Sequence, residues 1–277
     1  MSDKYVVIGN PIHHSRSPDI HAAFARQTGQ DISYARLLAP LDGFARTLLE
    51  FRDAGGRGAN VTVPFKEEAW RIAGSASRRA ELAGAANTLR FDGQSIHADN
   101  TDGGGLVNDI RDNLGFTLRG KRILLMGSGG AARGVVPAIM TEQPAWLVIA
   151  NRTSERASAL AQRFFPLGIV DACGYSALQG LEFDCVINAT SASLNGELPP
   201  LPAQLFAPDS LAYDMMYGPQ PTPFMQFAGE QGAARIEDGL GMLVEQAALA
   251  FELWRGLRPE TASVLAELRK VIQNPSS

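Results

Sequence analysis

The sequence predicts an α/β protein built from two successive β/α series. Three observations carry this. The chain has 277 residues, of which 45% are hydrophobic, which is enough for two ordinary domains with packed cores. Its first hundred residues alternate short apolar runs with amphipathic stretches. A second such series begins near Lys121, with apolar runs continuous enough for strands buried on both faces.

In order along the chain, "YVVIG" reads as a strand, and Pro18 to Gln27 as a helix with Ser17 at its start as a candidate N-cap. "SYARLLA" reads as a strand, Leu41 to Asp53 as a helix ended by Gly55 and Gly56, and "GANVTVP" as a strand stopped by Pro64. "NTLRFDGQSIHAD" has the form of a hairpin turning at Asp92-Gly93. In the second series "RILLMG" is a strand followed by a helix from about Gly130 to Met140. "WLVIANR" is a strand followed by a helix from about Ser154 to Phe164, and "FDCVINAT" and "LAYDMMY" are further strands. Helical spacing returns from Leu243 to Leu257, and a shorter helix is expected from Pro259 to Ile272. The Pro-rich segments "LPPLPAQ" and "YGPQPTP" read as connections.

A formal net charge of −4 with interspersed signs leaves no basic stripe for a phosphate backbone, so a nucleic-acid partner is not expected. The apolar run after the N-terminus is interrupted at once by Gly9 and Pro11, and no run approaches the ~20 residues of a membrane helix. Cys173 and Cys185 form neither a disulfide framework nor a close-spaced metal pair, which suits a reducing compartment. The expectation is a cytoplasmic protein without a membrane partner. His13 and His14 are adjacent on a loop with no matched carboxylate spacing, so no metal site is expected. A homodimer is compatible with the sequence, which does not fix the quaternary state.

"LLMGSGGAARG" is the most informative stretch. Gly127, Ser128, Gly129, Gly130, Ala131 and Ala132 fit G-x-G-x-x-[GA] between a strand and a helix. The first glycine lets the chain reverse, and the second lets backbone approach a pyrophosphate. The third small residue lets helix pack on strand. The phosphates would meet unpaired N–H groups and the positive end of the helix dipole. About 20 residues on, where an NAD-binding chain shows a carboxylate for the ribose hydroxyl, this chain has "ANRTSER". Asn151, Arg152, Thr153 and Arg156 offer neutral and cationic donors that suit a 2′-phosphate, so the cofactor expected is NADP.

Polar residues also gather at the ends of elements in the first series. "GNPIHHSRSP" places Ser15 and Ser17 after the first strand, "NVTVPFK" places Thr62 at a strand end with Lys66 just beyond, and "GAANTL" and "ADNTDGGG" add Asn87 and Asp102. Each has a plain structural reading as a cap or turn residue. Together they occupy the strand ends where α/β folds collect binding groups.

These motifs together resemble the shikimate dehydrogenase family. "SRSP", "NVTVPFK", "GAANTL", "NTDG", "GSGGAARG", "NRT", "YDMMY" and "EDGLGMLVEQAALAF" occur in that family's order and spacing over nearly the whole chain. The resemblance implies a substrate-binding catalytic domain over 1–103, a Rossmann-like, doubly wound NADP-binding domain over 104–240, and C-terminal helices over 241–277 that return to the first domain. It implies that Ser15, Ser17, Thr62, Lys66, Asn87, Asp102, Tyr217 and Gln246 bind shikimate or 3-dehydroshikimate, with Lys66 and Asp102 as the catalytic pair. Gly127, Ser128, Gly129, Gly130, Ala131, Asn151, Arg152, Thr153, Arg156, Met215 and Gly239 would contact the cofactor.

Elementary chemistry agrees with those roles. Shikimate is a small ring with a carboxylate and three hydroxyls, which Ser, Thr, Asn, Gln and Tyr can each recognise. The protein must also supply or remove the proton on the 3-oxygen, the task expected of Lys66 and Asp102. One departure stands out, because "GSASRRAELAG" puts Arg78 near the place where many family members carry a carboxylate. The rival readings are a paralogue acting on quinate or an aminoshikimate, and a nucleotide-sensing regulator without turnover. Retention of both Lys66 and Asp102 argues against the second.

Overall fold

The computed structural model describes residues 2–190, 192 and 196–273. The chain divides into two compact units, Met1–Gly105 with Val244–Leu265, and Leu106–Leu243 with Ala266–Ser277. Of the C-terminal helices expected over 241–277 to return to the first domain, Val244–Leu265 clusters with it and Ala266–Ser277 with the second unit. In the second unit, Arg269 near the C-terminus makes a forked ion pair with the Asp238 carboxylate, at 2.5 and 2.7 Å.

The first unit contains β1 (Asp3–Gly9), α1 (Ser17–Thr28), β2 (Ile32–Leu38), α2 (Phe44–Asp53), β3 (Gly56–Val61), α3 (Lys66–Ile72), β4 (Ser75–Ala76), α4 (Arg78–Ala83), β5 (Thr88–Asp92), β6 (Ser95–Asp99) and the start of α5 (Asp102–Asn108). Its sheet runs β2-β1-β3-β5-β6-β4. The pairs β1–β2, β1–β3 and β4–β6 are parallel, whereas β5 is antiparallel to both β3 and β6. The hairpin forms as the alternation indicates, but its turn falls one residue later than Asp92-Gly93, at Gly93 and Gln94, because Asp92 still pairs with Ser95. Several boundaries differ from the sequence reading. Helix α2 starts three residues late, because the chain after Pro40 first makes a turn and Gly43 takes the N-cap position. Strand β3 begins at Gly56 and stops at Val61, since the Thr62 carbonyl already accepts from the Phe65 amide in the next turn. The core includes Val6, Ile8, Phe44, Leu48, Val61, Phe65, Leu89, Phe91 and Ile96.

The second unit contains β7 (Arg122–Met126), α6 (Gly130–Thr141), β8 (Trp146–Ala150), α7 (Ser154–Phe164), β9 (Val170–Cys173), β10 (Phe183–Asn188), β11 (Phe206–Asp214), α8 (Pro223–Glu230) and β12 (Arg235–Asp238). Helices α9 (Leu240–Arg255) and α10 (Ala262–Gln273) follow. The sheet order is β12-β11-β10-β7-β8-β9, and every pair is parallel. This is the doubly wound order in which the strand sequence reverses between the first strand, β7, and the fourth, β10. Leu124, Met126, Val148, Val186 and Ala212 lie in its core, which explains why these strands read as continuous apolar runs. Ligands of such sheets bind at the carboxyl ends of the strands beside the reversal. Among the described residues, no helix is long and apolar enough to cross a membrane.

Candidate active site

In the first unit the central feature is a Lys–Asp pair. Lys66 is the first residue of α3 and Asp102 the first of α5, and Lys66 Nζ donates to Asp102 Oδ2 at 2.6 Å. Their side chains are only 19% and 8% exposed, so water screens the pair weakly. The other carboxylate oxygen, Oδ1, accepts from Asn87 Nδ2 at 2.8 Å. Asn87 Nδ2 also faces Thr101 Oγ1 at 2.9 Å and Gln246 Oε1 at 3.2 Å, while Asn87 Oδ1 accepts from the Thr101 amide at 2.8 Å. Four residues singled out in the sequence, Lys66, Asn87, Asp102 and Gln246, thus form one hydrogen-bonded cluster.

The turn that presents Asp102 is fixed residue by residue. The buried Asp99 carboxylate accepts from Ser77 Oγ at 2.5 Å, from Arg79 Nε and Nη2 at 2.6 Å each, and from the Asn100 amide at 2.7 Å. Burial pushes the Asp99 carboxyl up, but the Arg79 fork and the other donors outweigh it and leave the group below its ordinary value. Asn100 Oδ1 then accepts from the Asp102 amide at 3.2 Å.

Ser15 and Ser17 lie together, with Ser15 Oγ donating to Ser17 Oγ at 3.2 Å and accepting from the Ser17 amide at 3.3 Å. Ser17 is the first residue of α1 rather than its cap. Arg16 holds the N-cap position without a side-chain cap bond, and the Ser17 hydroxyl accepts from Ser15. Tyr34 extends the polar network. Its hydroxyl donates to Asn60 Oδ1 at 2.7 Å, and burial raises the phenol against a lowering hydrogen bond with Ser17. Asn60 Nδ2 in turn reaches the Asn87 carbonyl at 3.2 Å and Thr88 Oγ1 at 3.1 Å. Thr62 follows β3, its amide donating to the Ile8 carbonyl at 3.0 Å. Sequence reasoning did not single out Tyr34, Asn60 or Thr101. Their signal is a polar residue on an otherwise apolar run, which is legible only once its partners are known.

In the second unit Gly127 follows β7 with φ +104°, a backbone region closed to most side chains, and its amide donates to the Ala150 carbonyl at 2.8 Å. Ser128 follows, Gly129 is the N-cap of the twelve-residue α6, and Gly130 and Ala131 open that helix. A Cβ added at Gly129 or Gly130 would meet no atom within 4 Å, so the space beside this turn is open for a ligand phosphate. Beyond β8, Asn151 Nδ2 donates to the Thr153 carbonyl at 3.0 Å. Thr153 is the N-cap of α7 but makes no side-chain cap bond, and Arg152 and Arg156 are exposed beside it. Past β11, Met215 and Gly239 are in backbone contact: a Cβ at Gly239 would lie 2.2 Å from the Met215 carbonyl oxygen. Tyr217 is half-buried in the following turn.

Beneath those residues is a network the sequence did not reveal. The buried Asp214 carboxylate accepts from Thr222 Oγ1 at 2.6 Å, Asn188 Nδ2 at 3.2 Å and the Met216 amide at 3.0 Å. It ties both ends of the 215–222 loop to the ends of β10 and β11. The histidines are not gathered into a ligand set: the His13 and His14 rings lie 3.5 Å apart, tilted by 49°, and His21 is enclosed by Tyr34, Phe24, Phe251 and Trp254.

A doubly wound parallel sheet with a glycine turn at its reversal point, in a chain whose other unit holds a shielded Lys–Asp pair, defines a two-domain protein of the nucleotide-dependent dehydrogenase class. Residues 7–89 match the shikimate dehydrogenase substrate binding domain, 109–195 match shikimate / quinate 5-dehydrogenase, and 239–269 match the shikimate 5′-dehydrogenase C-terminal domain. A shikimate dehydrogenase (NADP(+)) from Dechloromonas aromatica is 61% identical over 269 residues, covering 97% of this chain and 98% of that one. One from Nitrosospira multiformis is 58% identical, with 99% and 100% covered. The structure of shikimate 5-dehydrogenase from Thermus thermophilus in complex with NADP(H) and shikimate superposes with a TM-score of 0.86 at 32% identity, covering 97% of this chain and 99% of that one. The chain belongs to the shikimate dehydrogenase family.

Proposed function

We infer that the protein catalyses the NADP-dependent, reversible reduction of 3-dehydroshikimate to shikimate, a step of aromatic amino acid biosynthesis. The observation that carries this reading is the Lys66–Asp102 pair, shielded from water and tied through Asn87 to Gln246. A binding module does not need that pair, whereas a ketone reductase needs a group to handle the proton on the reacting oxygen.

The second unit suits the cofactor. Gly127 to Ala131 would hold its pyrophosphate, Asn151, Arg152, Thr153 and Arg156 its adenosine 2′-phosphate, and Met215 and Gly239 its nicotinamide end. When bound, the nicotinamide supplies or accepts the hydride. Everything else falls to the chain. Ser15 and Ser17 hold the substrate carboxylate, and Thr62, Asn87, Asp102, Tyr217 and Gln246 sort the ring hydroxyls by giving and accepting hydrogen bonds. Lys66 handles the proton on the 3-oxygen while Asp102, fixed by Asn87, orients the ammonium and holds a hydroxyl. The reading sets this reaction in the cytoplasm and is compatible with a homodimer.

The test is substrate hold. Ser15→Ala and Ser17→Ala should each raise the Michaelis constant for shikimate far more than they lower turnover, as loss of uniform binding does. If both variants keep the parent's Michaelis constant, the serines have no part in substrate binding.

A further inference from the structure

We propose that Arg36 is a positioning and specificity residue that supplies the positive charge met by the substrate carboxylate, acting through the Ser15 peptide. This rests on the assignment of Ser15 and Ser17 to that carboxylate. The geometry is a guanidinium fork closed on one carbonyl: Arg36 Nε and Nη2, on β2, both donate to the Ser15 carbonyl oxygen, at 2.9 and 2.6 Å. Such charge-assisted bonds are the strong ones, and here two of them converge on a single carbonyl oxygen.

The local charges sharpen the point. The two hydroxyls at the site are neutral, so by themselves they leave an anion's charge unmatched, a costly state wherever water is thinned out. Two other cations, one on the loop and one at the catalytic pair, are already offset. Arg16, on the same loop, has Asp19 at 3.6 Å, and Lys66 has Asp102 at 2.6 Å. Arg36 has no carboxylate within ion-pair distance among the described residues, so its charge remains uncancelled. Drawing electron density from the Ser15 carbonyl also strengthens the N–H of the same peptide, that of Arg16, as a donor. The loop is held at its other end by the Ser15 amide on the Ile12 carbonyl at 3.1 Å, so the charge acts on a fixed target. The predicted specificity is for a ring acid over the same ring carrying a neutral group.

The experiment compares shikimate with its methyl ester, used as substrate or as competitive inhibitor, in the parent, Arg36→Gln and Arg36→Lys. Arg36→Gln should weaken binding of the acid about 3- to 30-fold, the range for one partly screened charge at short distance, and leave the ester within about 2-fold. Arg36→Lys, which keeps the charge but not the fork, should recover part of the acid's affinity. In the parent, rising salt should weaken the acid and not the ester, a readout that needs no variant. Equal losses for acid and ester in Arg36→Gln would mean that Arg36 only staples the loop, and no loss for either would remove it altogether; each result overturns the proposal. Ser15→Ala separates this from the underlying assignment. If that variant binds acid and ester as the parent does, the carboxylate is held elsewhere and the assignment itself has failed.

Discussion

Replacing Lys66 by alanine separates the proton-handling role from a structural one. Lys66 Nζ lies 2.6 Å from Asp102 Oδ2, with the two side chains 19% and 8% exposed. Removing one member of a buried pair costs about 3–5 kcal/mol when the other is left bare. Here Asp102 keeps the Asn87 bond at 2.8 Å and the turn held by Asp99, so the cost falls toward the ~1–3 kcal/mol of one unmatched polar group. For a chain of this size that lowers the melting temperature by only some degrees, at roughly 2–4 °C per kcal/mol, and the variant stays folded. The kinetic loss should be larger. A positioned acid or base is worth about 10²–10⁴-fold, or ~2.7–5.5 kcal/mol of barrier. The assay is steady-state reduction of NADP by shikimate, with a thermal melt alongside. Turnover should drop by that factor with little change in the shikimate Michaelis constant, whereas Asp102→Asn should damage both. A folded Lys66→Ala protein that binds both ligands and turns over within a few-fold of the parent would refute the reasoning.

Other outcomes follow from the same geometry. Arg152→Asp should shift cofactor preference from NADP toward NAD by about 10- to 100-fold, since one charge-assisted phosphate bond is lost and a repulsion gained; unchanged ratios of kcat/KM would contradict the assignment. Gly239→Ala, whose new Cβ would lie 2.2 Å from the Met215 carbonyl oxygen, must displace that backbone and should raise the Michaelis constant for NADP; parent-like cofactor kinetics would separate this contact from cofactor binding. His21 is buried among aromatic rings, and its burial lowers the imidazole to about 3. The folded state therefore keeps it neutral while the unfolded chain takes up a proton below ~6.5, so stability is lost as the pH falls from that value toward about 3, by up to ~1.4 kcal/mol per unit. His21→Phe should flatten this limb in denaturant unfolding at pH 6.5 and pH 4, and equal slopes for parent and variant would show that other groups carry the acid sensitivity.

Much of this was legible in the sequence because the informative residues act locally. The helix Ser154–Phe164 and the β5–β6 hairpin follow from spacing alone, although the turn sits one residue beyond Asp92-Gly93. The glycine turn after β7 follows equally well, since Gly127 needs its positive φ whatever surrounds it. Short elements were missed. Strands β9 and β12 have four residues each, too few for a period, and α8 hides behind a proline-rich connection although Thr222 caps it by accepting from the Met225 amide. The site divides in the same way. Lys66, Asn87 and Asp102 lie in short, recognisable motifs. Asp214, Tyr34, Asn60 and Arg36 act through partners 8 to 27 residues away, and nothing in their own neighbourhoods announces it. Ser17 was open to a capping reading because a serine before Pro18 has the form of a cap; only its bond to Ser15 decides otherwise.

Catalysis by this chain requires a shikimate site and an NADP site to work together. The most direct test of this is the steady-state kcat/KM of the purified protein for shikimate and quinate, each with NADP and NAD. The account predicts highest efficiency for shikimate with NADP, with a clear loss on changing either partner. Efficient turnover of quinate in preference to shikimate, equal use of both cofactors, or no turnover with any pair would contradict it.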